Sequence, residues 1–172
     1  MHVLDTDRLR LRWLAASDAA FVRELVNEPA WLQFIGDRGV RTDADALAYL
    51  ERSSLKMYAL HGFSLNAVER KSDGALVGIC GLLKRDTLED VDLGFAFLTR
   101  FHGFGYAREA AAAVMHGQRA ALGLHRVVAV TAPENSRSIR LLESLGFRFE
   151  RMIRFAGGNA ESKLFAWAAE MK

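Results

Sequence analysis

The stretch FHGFGYAREAAAAVMHG, Phe101 to Gly117, sets Gly103 and Gly105 two residues apart directly before an alanine-rich run. Glycine weakens a helix, because ordering it costs more chain entropy than ordering any other residue. Two glycines at a helix mouth therefore either make a turn or clear a way for a ligand. The apolar positions Ala107, Ala110, Ala111, Val114, Met115, Ala121 and Leu122 fall at helical spacing, and Gly123 is a natural stop. A strand ending near Leu98, a loop with both glycines and this helix would aim unpaired backbone N–H groups at an anion. No Gly-Lys-Ser/Thr follows, so the stretch is not a P-loop, and the third glycine of the dinucleotide fingerprint is missing.

Outward from this stretch the chain alternates strands and helices. On its N-terminal side, VDLGFAFL (91–98) reads as a strand that Gly94 weakens or bulges. Before it, FSLNAVE, the KSDG turn and ALVGICGLL form two further strands. RLRLRWL alternates Leu9, Leu11 and Trp13 with arginines, as a half-solvated first strand does. SDAAFVRELVN follows, with Ser17 as candidate N-cap, and Pro29 ends that helix or begins the next segment. Thr42 or Asp43 could cap a helix over DADALAYLERSSLKMYAL. On the C-terminal side come HRVVAVTA as a buried strand, ENSRSIRLLESLGF as a capped helix, FRFERMIRF as a strand, and GGN as a hairpin turn into KLFAWAAEM. The order is that of an α/β domain with a mixed sheet.

The 172 residues suffice for one domain with a sizeable core, and residues 1–172 read as a single unit with no Pro/Gly/Ser-rich linker. Hydrophobic content of 51% with 26% charged residues argues against disorder. A net charge of +2, with arginines spread along the chain, is too small for a nucleic-acid footprint. Cys80 is the single cysteine, so no intrachain disulfide can form. The charged N-terminus lacks a signal peptide's apolar run, and no uncharged stretch reaches membrane-spanning length. A cytoplasmic protein with no membrane and no nucleic-acid partner is expected.

A second motif sharpens the first. In APENSRSIRLLESLGF, Asn135 stands at a strand exit, Ser138 follows three residues later on the helix, and Gly146-Phe147 turns the chain back. Taken alone, Asn135 or Ser136 is an ordinary N-cap. Combined in this order and spacing, the two motifs resemble the GNAT superfamily of acyl-CoA-dependent N-acetyltransferases, over nearly the whole chain. TDRLRLRWLAASDAAFVREL and VDLGFAFLTRFHGFGYAREA are similar to the branch of the ribosomal-protein N-terminal acetyltransferases RimJ and RimL. The resemblance implies a GNAT fold of class α/β (α+β). Its single mixed, mostly antiparallel twisted sheet would have about seven strands, helices on both faces and a splay between the fourth and fifth strands.

The same resemblance implies acetyl-CoA as co-substrate and no metal. Backbone groups of Phe97, Leu98 and Thr99 would pair with the pantetheine arm, and the amides of His102, Gly103, Phe104, Gly105, Tyr106 and Ala107 would hold the pyrophosphate. His102 departs from the family's Gln or Arg at that position, and Arg100-x-x-Gly103-x-Gly105 fits the pattern in a second register. Asn135 would bond the cofactor arm. Many family members protonate the departing thiolate with a tyrosine where this chain has Leu142, and Ser138 matches the serine of the Rim-type branch. Acetyl transfer also needs a neutral amine and donors for the oxyanion, for which an N–H near Phe97 or Leu98 would serve. Asp92 matches an often acidic position and is the expected base, with Asp86 and Glu89 as alternatives. An ordinary carboxylate is a weak base for an ammonium, so a water relay or a raised pKa is required.

Trp31, Phe34 and Tyr58 fall where the family builds its acceptor wall, although core packing accounts for them equally well. Arg38 or Arg41 could meet an acidic acceptor, although a solvated charge accounts for either one more simply. Glu109 and His116 need no role, and His116 and His125 lack a metal-ligand constellation. The expectation is acetyl transfer by direct attack of a primary amine, a protein N-terminal α-amine or a small molecule. The alternative is a non-catalytic acyl-CoA-binding or sensor domain. Dimers are common in the family that the chain resembles, which makes a homodimer one of the expected assemblies.

Overall fold

The structure, a computed structural model, describes residues 4–155 and 160–169. One eight-stranded sheet runs through them in the order β1-β2-β3-β4-β5-β6-β8-β7. Its strands are β1 (Leu4–Asp5), β2 (Leu9–Trp13), β3 (Leu65–Arg70), β4 (Leu76–Leu83), β5 (Asp92–Phe97), β6 (Arg126–Thr131), β7 (Arg148–Arg154) and β8 (Glu161–Ala168). All neighbours pair antiparallel except β5 and β6. The expected count of about seven is corrected by β1, two residues too short to show a period. The hairpin turn expected at GGN lies outside the described residues.

The first helical layer runs from β2 to β3 as α1 (Ala19–Val26), α2 (Pro29–Phe34), α3 (Asp43–Leu50) and α4 (Lys56–His61), with one π-helical stretch, Glu51–Leu55, joining α3 to α4. Pro29 opens α2 at a position where its missing N–H costs nothing. Thr42 caps α3: its Oγ1 accepts from Asp45 N (3.1 Å), and the Asp45 carboxylate accepts from Thr42 N (2.8 Å). At the first helix Ser17 is not the cap. A 3-10 turn, Ala16–Asp18, precedes α1, and Asp18 accepts from Ala15 N (2.8 Å) and is gripped by both Arg12 nitrogens at 2.9 Å.

The opening stretch forms α5 (Tyr106–Ala113), continued by the π-helical residues Val114–Gln118 into α6 (Arg119–Ala121); α7 (Ser136–Ser144) follows β6. Ala110, Ala111 and Val114 are fully buried, so the small side chains bring α5 close onto the sheet. They join Leu9, Leu11, Val68, Phe147 and Phe165 in one apolar cluster. Residues of α1, α2, α3 and α4 build a second cluster around Leu25, Leu50, Ile79 and Leu98. β4 serves both clusters, which explains its unbroken apolar run. Gly94 pairs in regular register with Gly81; the bulge lies instead between β3 and β4, at Val68/Glu69. Strand β7 closes the sheet with a largely exposed, charge-rich edge that discourages pairing with another chain.

Candidate active site

The site begins where the sheet parts. Strands β5 and β6 touch through a single bridge, Asp92 opposite Val128, with Val128 N–H donating to Val91 O at 3.0 Å. Beyond it no residue pair joins them among the described residues. Because successive strand residues turn their peptide groups to opposite sides, and Leu98 N–H donates to Val77 O on β4 (3.0 Å), Phe97 faces the opened side. Of the three backbones expected to meet a pantetheine arm, only the Phe97 N–H is left without a partner among the described residues. Leu98 N–H is spent on β4, and Thr99 donates both N–H (3.3 Å) and hydroxyl to Glu28. Thr99–Phe101 is a 3-10 turn, held to α1 by the Arg100–Glu24 ion pair, so Arg100 faces away from the loop that follows.

That loop carries the two glycines, at φ +84° (Gly103) and +81° (Gly105), a left-handed conformation that other residues rarely adopt. Gly105 is the N-cap of α5 and supplies no side-chain cap. None of the N–H groups from Gly103 to Arg108 has an acceptor among the described residues; the first one used is Glu109 N–H, to Gly105 O (3.1 Å). A Cβ on Gly103 would meet open space. The run of N–H groups without an acceptor thus spans Gly103 to Arg108; of the amides expected from His102 to Ala107, that of His102 alone is spent. The His102 N–H donates to Thr99 O (3.0 Å), and its Nε2 lies 2.9 Å from Phe97 O. A carbonyl only accepts, so in this contact Nε2 carries a proton and donates it to Phe97 O.

Arg8 and Glu109 brace this loop, a role the sequence reading did not assign to either. Glu109 accepts from Thr6 Oγ1 (2.6 Å), Arg8 N (3.1 Å) and Arg8 Nε (2.7 Å). Burial raises its carboxyl pKa, but these bonds together outweigh that and hold it below the ordinary value. Arg8 also donates to Phe104 O (2.9 Å) and lies 4.8 Å over the Tyr106 ring. The only signal in sequence was the alternation of RLRLR, which marks a strand and not a brace.

A cavity of about 330 Å³ joins the two sides of the opened sheet. Ala129 to Ala132, Asn135 and Ser138 line it from β6 and α7, and Gly94 to Ala96 from β5. Trp31, Phe34, Tyr49 and Met57 close it from the helical layer. Asn135 caps α7, with Oδ1 accepting from Ser138 N at 3.2 Å, and its side-chain amide has no acceptor among the described residues. The cap and the cofactor roles therefore use different ends of the same side chain. Leu142 lines the cavity fully buried, so nothing at that position can donate a proton. Trp31 and Phe34 line the cavity, whereas Tyr58 belongs to the core. It stacks on Trp13 at 4.3 Å, accepts from Leu14 N (2.9 Å) and donates to Leu65 O.

Asp92 sits at the root of the cleft, 1% exposed, with both oxygens near Arg85 Nε (3.2 and 3.1 Å). Burial raises its pKa to about 6, against the opposing pull of Arg85. Arg85 lines the cavity; Asp92 stands behind it, and Asp86 and Glu89 are exposed loop residues. Cys80 is fully buried, and burial pushes its thiol pKa up, away from reactivity. Among the described residues no cluster of His, Cys, Asp and Glu could hold a metal ion, and no helix is long and apolar enough to cross a membrane.

Comparison with known proteins identifies the family. The model of the acetyltransferase (GNAT) domain matches residues 8–148. The chain belongs to the GNAT acetyltransferase family. It is 30% identical to the uncharacterized protein YkkB of Bacillus subtilis, over 88% of each chain. It is 28% identical to the uncharacterized N-acetyltransferase YnaD of the same organism, over 90% of this chain and 86% of that one. RimL, the ribosomal L7/L12 α-N-protein acetyltransferase solved in complex with coenzyme A, superposes with a TM-score of 0.80 at 15% identity, covering 97% of this chain and 98% of RimL. At that identity the likeness is one of fold, and this GNAT chain has structural neighbours among the ribosomal-protein acetyltransferases.

Proposed function

We propose that this GNAT protein is an acetyl-CoA-dependent N-acetyltransferase that acetylates a primary amine by direct attack. The observation that carries the proposal is the continuity of the parted strands with the six unpartnered amides from Gly103 to Arg108. A run of N–H groups at the start of an eight-residue helix, with two Cβ atoms missing, fits a pyrophosphate in geometry and in charge. When bound, acetyl-CoA supplies an acetyl thioester.

Each residue then has a defined task. Phe97 N–H, an unpaired donor on β5, is available to the carbonyl oxygen as negative charge develops there. His102 keeps the Phe97 peptide in place by holding its carbonyl. Asn135 offers its side-chain amide to the cofactor arm, and Ser138 offers a hydroxyl to the sulfur as the C–S bond breaks. Asp92, with its pKa raised to about 6, takes the ammonium proton through a relay past Arg85. The chemistry needs no protein nucleophile, in keeping with the inert Cys80.

The test is release of free thiol from acetyl-CoA across a panel of primary amines. Amine-dependent release is expected. Stabilisation by acetyl-CoA without release for any amine would move the protein to the acyl-CoA-sensor class, and no stabilisation at saturating acetyl-CoA would remove both readings.

A further inference from the structure

The helical side of the cavity carries polar groups that the acetyl-transfer chemistry does not use. Trp31 Nε1 and Ser64 Oγ are both buried and both lack a hydrogen-bond partner among the described residues. Trp31 is 6% exposed and Ser64 is fully buried, and both residues line the cavity. A buried donor without an acceptor is a costly arrangement that a ligand oxygen relieves.

The charge of the lining points the same way. Arg38 and Arg85 line the cavity and no Asp or Glu does. Arg85 is offset by Asp92 behind it. Arg38, on the loop between α2 and α3, makes no ion pair among the described residues, while Arg41 on the same loop is tied to Asp37 (2.5 Å) and Asn27 (3.0 Å). That separates the two arginines: Arg38 is available and Arg41 is not. A second cation on the acceptor would be repelled here, whereas an anion would find the Arg38 guanidinium. Apart from Tyr49, Ser53 and Ser54, the rest of this wall, including Phe34 and Met57, is apolar. A volume of about 330 Å³ is at the small end of ligand sites.

We propose that the acceptor is a small amine bearing a carboxylate and an apolar body, an α-amino acid in chemical class, with its carboxylate held toward Arg38. This deepens the acetyltransferase reading and takes its cleft from it. The amine end lies toward β5 and Ser138, the apolar side chain against Phe34 and Met57, and the carboxylate at the arginine side of the cavity.

Calorimetric titration at neutral pH tests the proposal, with and without saturating coenzyme A. Leucine, methionine and phenylalanine are compared with their amides, their decarboxylated amines and a tripeptide beginning with the same residue. At least one free amino acid is expected to bind ten-fold or more tightly than its amide, amine and peptide counterparts. Arg38→Ala should erase that ratio while leaving the melting temperature and the coenzyme A affinity unchanged, and Arg38→Lys should restore part of it. Equal affinities, a preference for the neutral, cationic or peptide ligand, absence of binding at millimolar concentration, or a ratio that survives Arg38→Ala would each overturn the proposal. Carboxylate-selective binding without thiol release would sink the catalytic reading alone; thiol release with no carboxylate preference would sink this one alone.

Discussion

Replacing Asp92 with Asn probes the buried carboxyl at the root of the cleft. Burial raises its folded pKa from 3.8 to about 6, so the folded state holds the proton more tightly than the unfolded chain does. Its contribution to stability is fully present below pH 3.8 and is lost as pH rises through 6. A rise of that size corresponds to about 3 kcal/mol in full, of which about 2 kcal/mol remains at pH 4.5 and almost none at pH 8. Asn exchanges no proton. The stability of D92N relative to the wild type should therefore shift in the variant's favour by about 2 kcal/mol between pH 4.5 and pH 8. For a chain of this length that is roughly 4–8 °C in melting temperature. The Arg85 left behind is 41% exposed and stays hydrated, so it should not mask the trend. Urea denaturation of both proteins across this pH range measures the difference directly. A difference that is flat with pH, or that grows in favour of the wild type as pH rises, would refute the burial argument. The catalytic half is read separately: with Asp92 as base, the acid limb of the wild-type rate profile lies near pH 6, and D92N lowers kcat about 10²-fold.

Gly105→Val should cost about 1–2 kcal/mol of stability through the left-handed backbone and reduce coenzyme A affinity at least ten-fold, measured by calorimetry. Unchanged affinity in a folded variant would remove Gly103–Arg108 as the cradle. Ser138→Ala should lower kcat more than coenzyme A affinity, because its N–H still caps on Asn135 while its hydroxyl is lost; an equal loss in both would remove it from the proton path. Phe147→Ala, deleting a ring that is 2% exposed in the α5-side cluster, should destabilise by about 3–5 kcal/mol in denaturant. A cost below about 1 kcal/mol would mean the cluster is not a close-packed core.

Much of this was written along the chain. Period-2 alternation at Leu9, Leu11 and Trp13, the capping signal at Thr42, Pro29 and the glycine pair at 103 and 105 each act within a few residues. Short-range sterics and hydrogen bonding decide such features, so the element order and the helix mouth could be read locally. Other features depend on who meets whom across the fold. No local pattern says that His102 will turn onto Phe97 O, that the Leu98 N–H is taken by β4, or that Glu109 will hold Arg8 from a hundred residues away. The sequence offered Tyr58 and Trp31 as equivalent aromatics. Packing put one on Trp13 in the core and left the other with an idle N–H at a cavity.

The sequence by itself determined the family, the order of strands and helices, and the stripped loop before α5. Tertiary structure decided which amides stay free, that the sheet parts after one bridge, and that Trp31, Arg38, Ser64 and Ser138 surround a common space. The physical reason is range. Propensity, capping and backbone conformation are set by neighbours in sequence. Burial, ion pairing and the pKa of Asp92 are set by neighbours in space, and these exist only once the sheet has closed on its helices.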